Sequence, residues 1–316
     1  MSGSRVVVRP LVEGDLDQAD RIFRTAFGTF LGIPEPAQFS GDADVVHTRW
    51  RTYPTAAFVA ELDGELVGSN FASDWGSIGF VGPLTVRPDH WDQGIGRRLF
   101  EPTMDLLSWW QVRHLGLFTF AESVKHIGLY QSFGFWPRYL TAVMAAPVVA
   151  PPKTVSYRRY SELVLHYPGD PGDAVRDLTD AVYEGLDLGR EIGAVLDQRL
   201  GETVLIDDAT GLQGVAICHI GAGSEAGSGR CHVKFAAVRP GRGAARSFGR
   251  LIDACHDLAA AEGASLLSTG VNFAREKAYT ALRQRGFRSQ MQGVTMHRPN
   301  EPGYDRSASY VLDDWR

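Results

Sequence analysis

The chain has 316 residues, 44% of them hydrophobic and 22% charged, and carries a formal net charge of −5. These are globular values, and the length favours two domains, each large enough to bury a core of its own. The acidic balance excludes a general nucleic-acid binder, no apolar run approaches the roughly 18–20 residues of a membrane span, and the opening MSGSRVVVRP lacks a signal-peptide profile, so a cytoplasmic protein with neither nucleic-acid nor membrane partners is expected.

In chain order the pattern predicts a strand over 5–10, a helix over 14–30, a helical stretch over 42–53, and strands over 56–62, 65–74 and 77–86. A helix over 94–112, a strand over 114–120, a helix over 124–132 and a closing strand near 138–146 follow. Helices interleaved with strands give an α/β class, an α+β arrangement with a mixed sheet. Pro102 falls inside the helix over 94–112, where a kink is expected.

After a proline-rich break at 146–153 the chain repeats itself. Val86-Arg87-Pro88 recurs as Val238-Arg239-Pro240, an offset of 238 − 86 = 152, and Leu99 recurs as Leu251 and Gly134-Phe135 as Gly286-Phe287 at the same offset. The strand–turn–strand pattern at 57–70 has a counterpart at 203–217, and a Gly/Ser-rich loop at 221–229 absorbs the difference in length. Two tandem domains are therefore expected, 1–146 and 154–298, followed by a tail over 299–316. Either the tail's aromatic and acidic end, Tyr310 to Trp315, docks across the first domain or it stays loose. In a tandem pair each domain can cover the other, so a monomer or a homodimer is expected.

All three cysteines lie in the second half, each followed by histidine: Cys218-His219, Cys231-His232 and Cys255-His256. Strand alternation sends each Cys and its neighbouring His to opposite faces, so small buried thiols are expected and no metal site.

The apolar run Phe80–Val86 ends at Arg87-Pro88 and passes through Gln93-Gly94-Ile95-Gly96-Arg97-Arg98 into an apolar-periodic segment. This reads as strand, glycine turn and helix. Glycines at 94 and 96 permit unusual dihedrals and leave no Cβ in the way of a ligand, and the first amides of the helix have no intrahelical partner, so the turn suits a phosphate. Tyr130 stands four residues before Gly134-Phe135, on a short helix with a glycine stop.

The order of these features resembles the GNAT acetyltransferase superfamily, in which a V-x-P strand end is followed by a Q/R-x-x-G-x-G/A pyrophosphate loop and later by N-x-x-A-x-x-x-Y-x-x-x-G-F. Val86, Pro88, Gly94, Gly96, Tyr130, Gly134 and Phe135 match, with spacing preserved. Trp91 stands where the loop's Gln or Arg is expected, Ser123 where Asn is expected and His126 where Ala is expected. The resemblance implies two tandem GNAT-like domains and an acetyl-CoA-dependent N-acetyltransferase acting on a primary amine, with a small molecule as acceptor. It implies that backbone amides across Gln93, Gly94, Ile95, Gly96, Arg97 and Arg98 hold the pyrophosphate and that Leu84, Thr85 and Val86 offer a strand edge to the pantetheine arm. It further implies Tyr130 as the general acid, with Ser123 orienting the helix that carries it.

At the 152-residue offset Gly94 maps to Arg246, Gly96 to Phe248 and Tyr130 to Leu282, so the second copy is expected to be degenerate and to help form the acceptor pocket. Glu122, Asp74 and His126 are the candidate general bases, with a water relay as the alternative. Specificity is expected from 27–55 and the facing second domain, and Trp50, Trp75 and Trp136 suggest an aromatic pocket. A non-catalytic acyl-CoA-binding regulator and an interaction scaffold are the alternatives, the first kept open by Trp91.

Overall fold

The structure, a computed structural model, describes residues 6–149, 155–166 and 171–316. Arg5, at the start of the first expected strand, and 150–153 of the expected proline-rich break lie outside the described residues. The first set of elements is β1 (Val6–Pro10), α1 (Leu16–Phe30), α2 (Val46–Thr52), β2 (Ala57–Leu62), β3 (Glu65–Trp75), β4 (Ile78–Val86), α3 (Ile95–Trp109), β5 (His114–Thr119), α4 (Val124–Gln131) and β6 (Trp136–Pro147). Each agrees closely with its sequence-based prediction, and α3 continues through Pro102. The second set is β7 (Arg158–Arg159), α5 (Tyr160–His166), α6 (Pro171–Val182), α7 (Gly189–Asp197), β8 (Gly201–Asp208), β9 (Gly211–Gly221), β10 (Gly227–Val238), α8 (Ala244–Ala261), β11 (Leu266–Asn272), α9 (Glu276–Gln284) and β12 (Arg288–Arg298), with β13 (Val311–Leu312) in the tail.

The described strands form one mixed sheet in the order β1-β2-β3-β4-β5-β12-β6-β11-β10-β9-β8-β7, with β13 added to β10. The 152-residue offset is kept in the ladders themselves. Parallel β4 and β5 pair from Ile78↔His114 to Val81↔Leu117, and parallel β10 and β11 from Arg230↔Leu266 to Val233↔Thr269. Both pairs then separate, each beside a break in register against the preceding strand, between Asn70 and Ala72 on β3 and between Val233 and Phe235 on β10. Such bulges bend a strand away from its neighbour.

The strand expected to close the first set does not pair with β5. β6 instead pairs with β11, and β12 of the second set takes the place beside β5, the two exchanged strands running antiparallel to each other. Ala142, Met144 and Ala146 of β6 are consequently buried in the second set's core, and Val294 and Met296 of β12 in the first set's. Either strand satisfies the same ladder and the same apolar face, so local pattern cannot choose between them; the exchange joins both halves into one sheet. Cys218, Cys231 and Cys255 are free and buried together in that second core.

Among the described residues no helix is long and apolar enough to cross a membrane. The tail is docked. Val311 and Leu312 pair with Ala237 and Ala236 of β10, and the buried Arg275 guanidinium donates to the Asp305 and Asp313 carboxylates and to the Val311 carbonyl. Gly116 on β5 and Gly270 on β11 make room for it, since a Cβ on the first would collide with the Trp315 ring and one on the second with the Asp314 side chain.

Candidate active site

Where β4 leaves β5, a cavity of about 640 Å³ opens between the two sets. One end is built by the turn after β4. Gly94 precedes α3 with φ +74°, a left-handed conformation that favours glycine, and as the N-cap residue it has no side chain with which to cap the helix. The amides of Ile95, Gly96 and Arg97 therefore open a helix N-terminus without a protein acceptor one turn earlier, beside the positive end of the helix dipole. At Gly96 a Cβ would meet protein atoms no closer than 3.7 Å, so nothing in the protein itself requires glycine there; its bare face looks into the cavity. Leu84, Thr85 and Val86 line the same end and pair with β3 on one side, beyond the point where pairing with β5 stops. These features fit an extended thiol cofactor bearing a pyrophosphate, held by the turn and by the strand edge.

Not all of the expected cofactor residues meet there. Leu84, Thr85, Val86, Gly94, Ile95, Gly96 and Arg97 line the cavity, whereas Gln93 and Arg98 do not. The Arg98 guanidinium turns away to the Val6 carbonyl at 3.3 Å. Arg97 is held over the Phe133 ring at 4.9 Å and donates to Ser132 Oγ at 2.9 Å. Trp91, in the loop position where Gln or Arg was expected, donates from Nε1 to the Val86 carbonyl at 2.7 Å and lines the cavity beside the turn.

The middle of the cavity belongs to α4. Ser123 Oγ accepts the His126 amide at 3.4 Å and caps the helix that carries Tyr130. Tyr130 is 8% exposed, and its ring packs on Phe100 at 5.3 Å. Its hydroxyl takes no hydrogen bond from the described residues, and burial pushes its pKa well above the ordinary phenol value, so it stays protonated. His126, one turn earlier on the same face, also lines the cavity, with its ring 5.4 Å from that of Phe30. Burial, and after it the Lys125 charge, lowers the His126 pKa and keeps the imidazole neutral near pH 7. Neither of the carboxylates considered as bases, Glu122 and Asp74, lines the cavity; Asp74 Oδ1 accepts the Gly76 amide at an exposed turn.

The far end is aromatic, with a charged floor. Phe23, Phe27 and Phe30 of α1 and Phe39, Phe118 and Phe120 form its walls. Of the three tryptophans expected there, Trp75 alone lines the cavity; Trp50 is turned to the Leu11 carbonyl and Trp136 is half exposed at the start of β6. The floor comes from across the sequence: Arg49 of α2, Glu225, His232 and Lys234 of the second set, and Asp314, Trp315 and Arg316 of the tail. Arg49 Nη2 meets Glu225 at 2.9 Å, Lys234 Nζ meets Glu225 at 2.8 Å and Glu191 at 2.9 Å, and Arg49 Nη1 donates to the Gly82 carbonyl in the bulged stretch of β4 at 2.9 Å. Burial alone would raise the Glu225 pKa, yet Arg49 and Lys234 hold it well below the carboxylate range. Burial brings His232 down to about 4 and His219 to about 3, so both are neutral. Sequence reading missed this floor because its members lie on separate elements with no spacing to link them. A lone Lys inside the apolar run 231–238 was the available signal.

Residues 19–135 match the sequence profile of the acetyltransferase (GNAT) family. They are a GNAT domain.

Over 97 residues the chain is 33% identical to an uncharacterized N-acetyltransferase of Methanocaldococcus jannaschii, a match spanning 30% of this chain and 55% of that relative, so about half of the relative's length is covered. The fold is shared more widely. A candidate acetyltransferase of Pyrococcus horikoshii aligns with a TM-score of 0.70 at 16% identity over 98% of this chain and 95% of its own, and a GCN5-related N-acetyltransferase of Sphaerobacter thermophilus with 0.61 at 18% identity over 93% and 95%. Both likenesses run beyond the GNAT domain into the second set. At the 152-residue offset from Gly96 and Tyr130 that set has Phe248 and Leu282, both fully buried in its core.

Proposed function

We propose that the protein transfers an acetyl group from acetyl-CoA to a primary amine borne on an apolar, small-molecule body, at a site in its first set of elements. The observation that carries this reading is the Tyr130 hydroxyl, protonated and without a partner among the described residues, at the cavity lined by the start of α3 and the strand edge 84–86. Amides at 95–97 would hold the pyrophosphate and Leu84–Val86 the pantetheine arm. Acetyl-CoA, when bound, supplies an activated thioester. His126, neutral and in the cavity, takes the proton that the acceptor's ammonium must lose before its nitrogen can form the new C–N bond. Tyr130 gives its proton to the sulfur as the C–S bond breaks. The walls of Phe23, Phe27 and Phe30 favour an acceptor with a large apolar body, and in the floor Arg49, Lys234 and Arg316 are set against Glu225 and Asp314, with Glu191, which meets Lys234 from outside the cavity lining, completing the charge balance. Tyr130→Phe tests the reading: turnover followed by thiol release should fall about 10²- to 10⁴-fold with acetyl-CoA affinity nearly kept. Undiminished turnover would remove Tyr130 from the mechanism.

A further inference from the structure

The two sets part their central strands in the same way, and what lies in the gap differs. In the first set β4 leaves β5 after Val81, and Leu84 to Val86 keep an edge on the cavity. In the second set β10 leaves β11 after Val233, and the edge at Ala236 and Ala237 is paired with Leu312 and Val311 of the tail. By the 152-residue offset Ala236 and Ala237 are the equivalents of Leu84 and Thr85. The match continues at the turn. Val238, equivalent to Val86, donates its amide to the Tyr310 carbonyl at 3.3 Å. Phe248, at the position of Gly96, is fully buried and meets the Tyr310 ring at 5.1 Å. The side chain that fills the degenerate turn is therefore packed against the tail.

We propose that the tail segment 310–316 is the resident ligand of the second set's cofactor groove, seated where a pantetheine arm would add a strand to β10, so that the chain takes one acetyl-CoA and the second groove serves to hold Asp314, Trp315 and Arg316 in the floor of the acceptor cavity. The assignment of the groove rests on the acetyl-transfer reading of strand 84–86; the tail's seat does not. Anchors on both sides explain why the segment stays. Arg275 binds the Val311 carbonyl and Asp313, Tyr304 Oη donates to Asp313 at 2.7 Å, and Trp315 Nε1 donates to Tyr304 Oη at 3.0 Å. Gly270 and Gly116 leave the space through which the segment passes from the second set to the first. Added-strand recognition draws its affinity from main-chain pairing, which a tethered segment supplies at high effective concentration.

The test is hydrogen exchange by mass spectrometry on the full chain, with acetyl-CoA as the probe and its stoichiometry taken from calorimetry. Acetyl-CoA should titrate to one per chain, slow exchange at 84–86 and leave 236–238 unchanged. Leu312→Pro, which removes the amide set against Ala236, and the milder Tyr310→Ala should each speed exchange at 236–238 at least tenfold without touching 84–86. Two acetyl-CoA per chain, protection of 236–238 by acetyl-CoA, or exchange at 236–238 indifferent to both variants would overturn the proposal. A chain that binds no acetyl-CoA overturns the acetyl-transfer reading and the groove assignment together, and the two tail variants then still decide whether the segment holds 236–238.

Discussion

Glu225→Gln tests how strongly the second set braces the site. The Glu225 carboxylate is 7% exposed and faces two cations, Arg49 at 2.9 Å and Lys234 at 2.8 Å. A neutral amide there removes the partner the two cations share; Lys234 keeps Glu191 at 2.9 Å, while Arg49 loses its contact ion pair and keeps only the longer-range attraction of Glu191 and Asp314. Removing one partner of a buried pair costs about 3–5 kcal/mol. At roughly 2–4 °C per kcal/mol for a chain of this class, the unfolding midpoint should drop by on the order of 10 °C. Arg49 also holds the Gly82 carbonyl, so acceptor KM should rise with it. The pH dependence has a definite sign. The folded Glu225 pKa is depressed, so its contribution is fully present above the unfolded value near 4.3 and is lost as pH falls through the folded value. Thermal unfolding followed by circular dichroism should show a constant gap between parent and variant from about pH 5 to 8 that narrows below about pH 4. Adding Lys234→Met to Glu225→Gln restores charge balance and should recover at least half of the loss. A midpoint shift under about 2 °C, or a gap unchanged at pH 3, would refute the reasoning.

Three further outcomes follow from the site. Gly96→Ala should leave the unfolding midpoint within about 1 °C, because its Cβ meets no protein atom closer than 3.7 Å, while calorimetry shows acetyl-CoA binding weakened about tenfold, or 1.4 kcal/mol; unchanged affinity would place the cofactor elsewhere. His126→Gln should lower kcat/KM about 10²-fold and abolish its acid limb. In the parent that limb lies below pH 6.5, since the neutral imidazole is the active form and its pKa is lowered; a limb that survives the substitution names another base. Gly116→Ala should push the Trp315 ring aside, costing about 1–3 kcal/mol and raising acceptor KM with acetyl-CoA KM unchanged. An unaltered near-ultraviolet spectrum and acceptor KM would show that Trp315 does not shape the cavity.

Much of the candidate site's layout was legible because its parts are local. The turn at Gly94 and Gly96, the strand end at Val86 and the helix bearing Tyr130 are each read from a few neighbouring residues, and the structure sets them around one cavity. Arg98 shows the limit of such reading. Adjacent to Arg97 in sequence, it points to a different face of the helix and bonds β1. The aromatic wall was anticipated in kind and missed in membership: Trp50 and Trp136 are elsewhere, and phenylalanines of α1 and β5 take their place.

The sequence by itself determined the order of elements, the 152-residue offset that the parallel ladders keep and the strand–turn–helix of the GNAT domain, because hydrophobic period and glycine placement act over a few residues. Tertiary structure alone decided which closing strand joins which half, since β6 and β12 offer equivalent ladders and apolar faces to β5 and β11. It alone brought Arg49, Glu225 and Lys234 together, because a buried ion network is defined by distance in space and leaves no periodic trace in the chain. It also seated the tail, where main-chain pairing to Ala236 and Ala237 depends on an edge that exists only once β10 has separated from β11.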